Sequence, residues 1–262
     1  MPSLKEVLDK VANKEITPKQ AEKILKLSAI DQVGCLARLD GNREIRRGVP
    51  EIILAEGKSA NDIADIAKKM VEKTGRVILS RCSAEQVEAV EKVFGKEIIF
   101  QLNDKAKMLV VKKKDFSSCK TGGKVAILTA GTSDISVAEE AKVVVEEMGC
   151  DVLSYYDVGV AGIHRLLEPM RDILSNDVDV VVVVAGREGA LASVVSGLVD
   201  VPVVAVPTSN SYGFGGKGVG ALMAMLQACS LGLAVVNIDG GVAAGAVAAL
   251  IANRVSKFRK EV

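Results

Sequence analysis

The rhythm of apolar and polar positions changes along this chain, and each change marks a different kind of structure. At the start, Leu4, Val7, Leu8 and Val11 recur at helical spacing, and Pro18 after Thr17 opens a second helix through Ile24 and Leu25. The rhythm then shortens: Cys35–Asp40 and Glu51–Ala55 read as short strands on either side of a polar, arginine-rich turn. A β-α-β-like run follows, with a helix over Asn61–Lys73, a strand at Val77–Ser80 and a helix over Ala84–Phe94. Strands are predicted at Ile98–Phe100 and Met108–Val111. Small polar residues and glycine cluster from Ser117 to Gly123, the best linker candidate. The reading is a smaller N-terminal α+β domain over residues 1–119 and a second domain over 120–262.

From Lys124 the alternation becomes regular. Apolar runs at Val125–Leu128, Val152–Tyr155, Val180–Val184, Val203–Val206 and Ala234–Ile238 are each followed by a helix-length segment. Continuous valine-rich runs belong to strands buried on both faces of a parallel sheet. With right-handed crossovers they predict an α/β domain with a flavodoxin-like or Rossmann-like parallel sheet. Val219 to Asn237 carries no charge and is long enough, at about 19 residues, to span a membrane. Gln227, Ser230, Gly232 and Asn237 interrupt it, so a buried helix followed by a buried strand is expected instead.

Composition adds constraints. Aromatics are 3% of the 262 residues and tryptophan is absent, so the core must be built from Val, Ala, Leu and Ile. The 34 basic and 33 acidic residues leave a net charge of +1, which gives no overall field for nucleic acid or an anionic membrane. Lys112-Lys113-Lys114 is balanced by Asp115. The five cysteines, Cys35, Cys82, Cys119, Cys150 and Cys229, are odd in number, widely spaced and without a C-x-x-C pair. Neither a disulfide framework nor a zinc site is indicated. Together with a charged N-terminus lacking an apolar stretch, this points to a reducing cytoplasm.

In an open parallel sheet, ligands bind beyond the carboxyl ends of the strands. After the first run stands Thr129-Ala130-Gly131-Thr132-Ser133-Asp134, whose backbone N–H groups and hydroxyls suit an anion, and equally an ordinary helix cap. It is neither a Walker A loop nor G-x-G-x-x-G. After the second come Asp157 through Gly162, then His164, the lone histidine, and Arg165. After the third, Gly186 permits close approach, Arg187 follows, and Glu188 is expected as a carboxylate on the cleft floor. Pro207 through Gly218 is glycine-rich and reads as a ligand loop. Asn237 and Asp239 follow the fifth run. These positions together point to a phosphorylated ribosyl ligand. Cys229 lies near a predicted helix C-terminus, where the dipole disfavours a thiolate, and a free cysteine is most often a small buried apolar residue.

Gly131-Thr132-Ser133-Asp134, His164-Arg165, Ala185 through Ala190 and Val201 through Pro207 resemble, in order and spacing, the aminoimidazole ribonucleotide carboxylase fold. Ala37-Arg38-Leu39-Asp40, Asn42-Arg43, Arg46 through Glu51 and Gly57-Lys58 resemble the N-terminal domain of the LarB family, the pyridinium-3,5-biscarboxylic acid mononucleotide synthases of nickel-pincer nucleotide biosynthesis. Asp157 through Arg165 and Cys229 through Asp239 are similar to that family too. The resemblance implies carboxylation of the pyridinium ring of nicotinic acid adenine dinucleotide by CO2, then phosphoanhydride hydrolysis with release of AMP. It implies Cys229 as nucleophile, and Glu188 as acid/base or orienting carboxylate. His164, Arg165, Ser133 and Asp134 are assigned by location to binding or proton movement, with Gly131, Thr132, Asp157, Gly186, Arg187, Asn237 and Asp239 around the substrate. Arg43, Arg46 and Arg47 would clamp phosphate, although arginines on a polar turn are more often simply solvated. Family members commonly continue after Asn-Ile-Asp with Asn-Gly-Phe-Gly, whereas Asp239 here precedes Gly240-Gly241-Val242-Ala243.

Two other readings stand beside this one: carboxylation or carboxylate migration on aminoimidazole ribonucleotide, and a non-catalytic nucleotide-binding protein. No tightly bound cofactor is expected, and a Mg2+ requirement is left open. Gly and Ala dominate Gly240–Ala252, which suggests close helix packing in a symmetric homo-oligomer, for which an octamer is one arrangement. No nucleic-acid or membrane partner is expected.

Overall fold

The computed structural model describes residues 4–27, 31–33, 37–39 and 43–259. The chain forms two compact units, Met1–Gln101 with Leu109–Phe116, and Leu102–Met108 with Ser117–Val262.

In the first unit, helices α1 (Leu4–Ala12) and α2 (Pro18–Leu27) precede a small antiparallel pair, β1 (Asp31–Val33) and β2 (Ala37–Leu39). The arginine-rich segment, expected as a turn, is a short helix, α3 (Arg43–Arg47). Then come β3 (Ile52–Leu54), α4 (Ala60–Thr74), β4 (Arg76–Ser80), α5 (Ala84–Lys92), β5 (Ile98–Asn103) and β6 (Met108–Lys113). The sheet runs β3-β4-β6-β5, with β3 and β4 parallel and β4 and β6 antiparallel. Ile63, Ile66, Ala67, Met70 and Val71 of α4 pack on Val77, Leu79, Leu109 and Val111. Ser59 starts α4 by accepting from the Asp62 N–H, and Ser83 and Gln86 close a capping box at α5. Cys35, Asp40 and Asn42 of the sequence motifs lie outside the described residues.

The second unit alternates strictly: β7 (Lys124–Thr129), α6 (Ile135–Glu147), β8 (Asp151–Tyr155), α7 (Leu167–Ser175), β9 (Val180–Ala185), α8 (Ala190–Ser196), β10 (Val203–Pro207), α9 (Val219–Leu226), β11 (Leu233–Val235) and α10 (Gly241–Arg259). Every neighbouring pair in the order β11-β10-β9-β7-β8 is parallel. This is the flavodoxin-like winding, and its direction reverses between β7 and β9. The middle strands are valine-rich because side chains on both of their faces are buried, and every residue of β9 and β10 is. Helices α7, α8 and α9 cover one face, through Met170, Ile173, Leu191, Val195 and Met225.

On the other face α6 and α10 cross at close range. A Cβ on Gly241 would fall 2.2 Å from the Val137 carbonyl oxygen, and one on Gly245 would fall 2.5 Å from that of Ala141. The small residues of this segment, including Ala244, Ala248, Ala249 and Ala252, are therefore buried against their own chain. The Gly/Ala pattern that suggested an intermolecular seam is used inside the subunit.

The uncharged stretch from Val219 is corrected as well. Helix α9 ends at Leu226, and β11 is a three-residue edge strand, only half-buried, rather than a buried strand reaching Ile238. Among the described residues no helix is long and apolar enough to cross a membrane.

Candidate functional site

A cavity of about 270 Å3 opens at the switch point of the second unit's sheet. Its lining comes from the loops after β7 (Ala130, Gly131, Ser133, Asp134), β8 (Gly159, Val160, Ala161, Arg165), β9 (Gly186, Arg187, Glu188, Gly189) and β10 (Asn210), with the first residues of α8. The strand-end rule located it from sequence.

Asp134 organises these loops. It is buried, and its carboxylate accepts from the Gly131 N–H (3.0 Å) and the Thr208 hydroxyl (2.7 Å). Burial pushes its carboxyl pKa up, against the hydrogen bonds from Thr208, Gly131 and the Gly186 backbone. One side chain thus joins the turns after β7, β9 and β10. The ordinary helix cap weighed for Ser133 or Asp134 is not made: Asp134 precedes α6 without capping it and reaches back to the Gly131 N–H instead. Asn210 adds a second tie, donating to the Ser133 carbonyl at 2.7 Å.

Positive charge enters from two sides. Arg165 lines the cavity and donates to Asp157 at 2.7 Å. Asp157 sits outside the lining and acts by aiming Arg165. Arg187 lies on the opposite wall, with its guanidinium carbon 4.2 Å from the Tyr212 ring centre. Asp157, Arg187 and Asp239 all hold left-handed backbone (φ 58°, 43° and 54°) at the ends of β8, β9 and β11. Gly189 (φ 67°) begins α8 immediately below, and its missing side chain lets Ala221 and Met225 approach.

Several expectations change. Glu188 lines the cavity but is exposed at its rim, and Ala185 and Gly186 supply the deeper wall. Thr132 and His164 are exposed and outside the lining. Neither Asn237 nor Asp239 lines the cavity: Asn237 accepts from the neighbouring Ile238 N–H, and Asp239 accepts from the Ser209 N–H at 2.8 Å, tying the loop after β10. In the first unit Arg43 is ion-paired with Glu51 at 3.0 Å. Arg46 is half-buried on α3. Thr208 and Asn210 were missed as individual site residues. Their position just after β10 was the available signal.

Cys229 is exposed and does not line its own cavity. Its neighbour Ser230 donates to the Ser193 carbonyl of α8 (2.8 Å), and the Gly232 carbonyl accepts from the Val203 N–H (3.0 Å). Val203 is the first residue of β10, and the cavity lies past its last, about 13 Å away at roughly 3.3 Å per residue. The thiol therefore stands at the opposite end of the sheet. Among the described residues no group of His, Cys, Asp or Glu forms a metal site.

Residues 30–114 match the LarB/PurE-like N-terminal domain, and residues 124–261 match AIR carboxylase. The chain belongs to the LarB family. An uncharacterized protein of Methanocaldococcus jannaschii is 43% identical over 97% of this chain and 99% of its own length. Family membership supports a carboxylase-type function, and the cavity occupies the domain matched to AIR carboxylase.

Proposed function

We propose that this chain carboxylates the pyridinium ring of nicotinic acid adenine dinucleotide with CO2 and hydrolyses its phosphoanhydride, yielding pyridinium-3,5-biscarboxylic acid mononucleotide and AMP. The observation carrying the reading is the cavity at the sheet's switch point, which Arg165 and Arg187 line, with Glu188 at the rim; two guanidinium groups there suit an anionic ribosyl ligand. Arginine suits phosphate and carboxylate through paired N–H donors.

The chemistry calls for a nucleophile. A pyridinium ring is electron-poor and does not attack CO2. Thiolate addition at carbon four gives a dihydropyridine, whose carbon five is an enamine carbon and forms the new carbon–carbon bond. Loss of the carbon-five proton, with Glu188 as acceptor, and departure of the thiolate then restore the aromatic cation. Water cleaves the phosphoanhydride, releasing AMP.

Cys229 stands too far from its own cavity to act there, so a second copy of the chain supplies it. Met223, Leu226 and Leu231 flank Cys229 in the sequence and are 62%, 66% and 93% exposed, apolar surface suited to a homo-oligomer contact. Mixing tests this. Cys229→Ala and Glu188→Gln are each inactive alone; combined under subunit exchange, they recover a fraction of wild-type AMP release. Turnover by Cys229→Ala alone would overturn the covalent reading.

The distance of Cys229 from its own cavity also favours a second reading, carboxylation of aminoimidazole ribonucleotide. That substrate is already an enamine and needs no thiol. It predicts full activity in Cys229→Ala on aminoimidazole ribonucleotide and none on the dinucleotide.

A further inference from the structure

The loop after β10 carries two aromatic side chains into solvent. Tyr212 is 75% exposed and Phe214 fully so, in a chain with only 3 tyrosines and 5 phenylalanines. The base of the loop is tied down. The Ser209 N–H donates to Asp239, Asn210 donates to the Ser133 carbonyl, and the Gly218 N–H donates to the Ser211 hydroxyl at 3.0 Å. Gly213, between the aromatics, is left-handed (φ 84°) with open space around it. One face of the Tyr212 ring is covered by Arg187, which also donates to its hydroxyl at 3.0 Å. Tyr212 is thereby fixed beside the cavity wall.

We propose that Tyr212 and Phe214 form a stacking platform for the adenine ring of the dinucleotide, the half that leaves as AMP. The inference rests on the dinucleotide reading and deepens it. A cavity of about 270 Å3 is smaller than most sites that enclose a whole ligand of drug size, about 300–1,000 Å3, so half of a dinucleotide must overhang. The reacting ring belongs inside, near Glu188 and the small-residue floor. The overhanging half then meets the loop on the Arg187 side. Charge decides which ring stacks there. A pyridinium cation laid on Tyr212 would add positive charge to a ring already holding a guanidinium, whereas a neutral purine does not, and offers the larger π-face.

The absence of tryptophan makes the test direct. In full-length Phe214→Trp, AMP should quench the single tryptophan saturably, and nicotinic acid mononucleotide should leave it unchanged. Adding Tyr212→Ala should weaken the AMP titration about tenfold, the scale of one lost base–aromatic stack. In turnover, Tyr212→Ala should raise KM for the dinucleotide by a similar factor with kcat retained. The platform is refuted if AMP leaves the tryptophan unaltered, if the mononucleotide quenches equally, or if Tyr212→Ala binds AMP as tightly. Product formation by the wild type from the dinucleotide is read separately. AMP quenching without turnover would retain the platform and remove the carboxylation reading.

Discussion

Glu139 shows how much one buried carboxylate contributes away from the cavity. Burial on α6 would raise its pKa, yet hydrogen bonds from Tyr156 and Asn103, both 2.6 Å, with Lys142 and Lys105 nearby, hold it below the ordinary value. A lowered pKa in the folded state adds stability above the ordinary glutamate range, and that stability is lost as pH falls through the folded value. Tyr156→Phe should therefore cost about 1.5–3 kcal/mol near neutral pH, the scale of a hydrogen bond to a charged group. Urea melts should show the deficit narrowing as pH falls through the folded value and the carboxylate becomes protonated. A deficit that stays constant with pH would contradict this account. Thr208→Val should also destabilise, by about 1–2 kcal/mol, because it leaves the buried Asp134 carboxylate short of a donor. Asp134 was legible in the sequence because it follows the first unbroken apolar run of the second domain. Its partner Thr208 was not, because 74 residues separate the pair and only the fold brings them together.

At the scale of elements, the crossing of α6 and α10 is the most sharply constrained contact. Gly241→Ala and Gly245→Ala would each press a methyl group into backbone atoms, so each should cost about 1–3 kcal/mol. Ala243→Ser, on the exposed side of the same helix, should stay within about 0.5 kcal/mol. Thermal melts of the three variants check this. Gly241 keeps the glycine of the family pattern after Asp239, and the Val137 carbonyl demands it. The inner strands were readable because double-sided burial imposes unbroken valine runs. Strand β11 was not, since an edge strand of three residues carries no such run. Its expected continuation instead bends toward the site, where the Asp239 N–H reaches the Pro207 carbonyl at 2.9 Å. Helix α3 was missed for a similar reason: five residues are too few to show helical periodicity.

At the scale of the whole molecule, two of the groups of exposed apolar side chains in the second unit bear on assembly. Met223, Leu226 and Leu231 stand near Cys229, and Val247, Leu250 and Phe258 line the outward side of α10. On the homo-oligomer reading, Leu231→Glu should lower the mass in light scattering and AMP release together, while the far-ultraviolet circular dichroism stays unchanged. A variant with wild-type mass and no activity would place Leu231 in catalysis instead. Composition excluded a nucleic-acid field early, but it carried no trace of which surface is shared, because shared surfaces and cores are built from the same residue types.

The separation of Cys229 from its own cavity has a kinetic consequence. On the proposed reading, a newly made chain holds both halves of the chemistry and can perform neither, because its thiol serves another subunit. Turnover then obeys mass action between subunits. On dilution below the dissociation constant of the oligomer, specific activity should fall, and it should return on concentration without refolding. Quantity of protein, rather than any bound effector, would set when the nucleophile is armed.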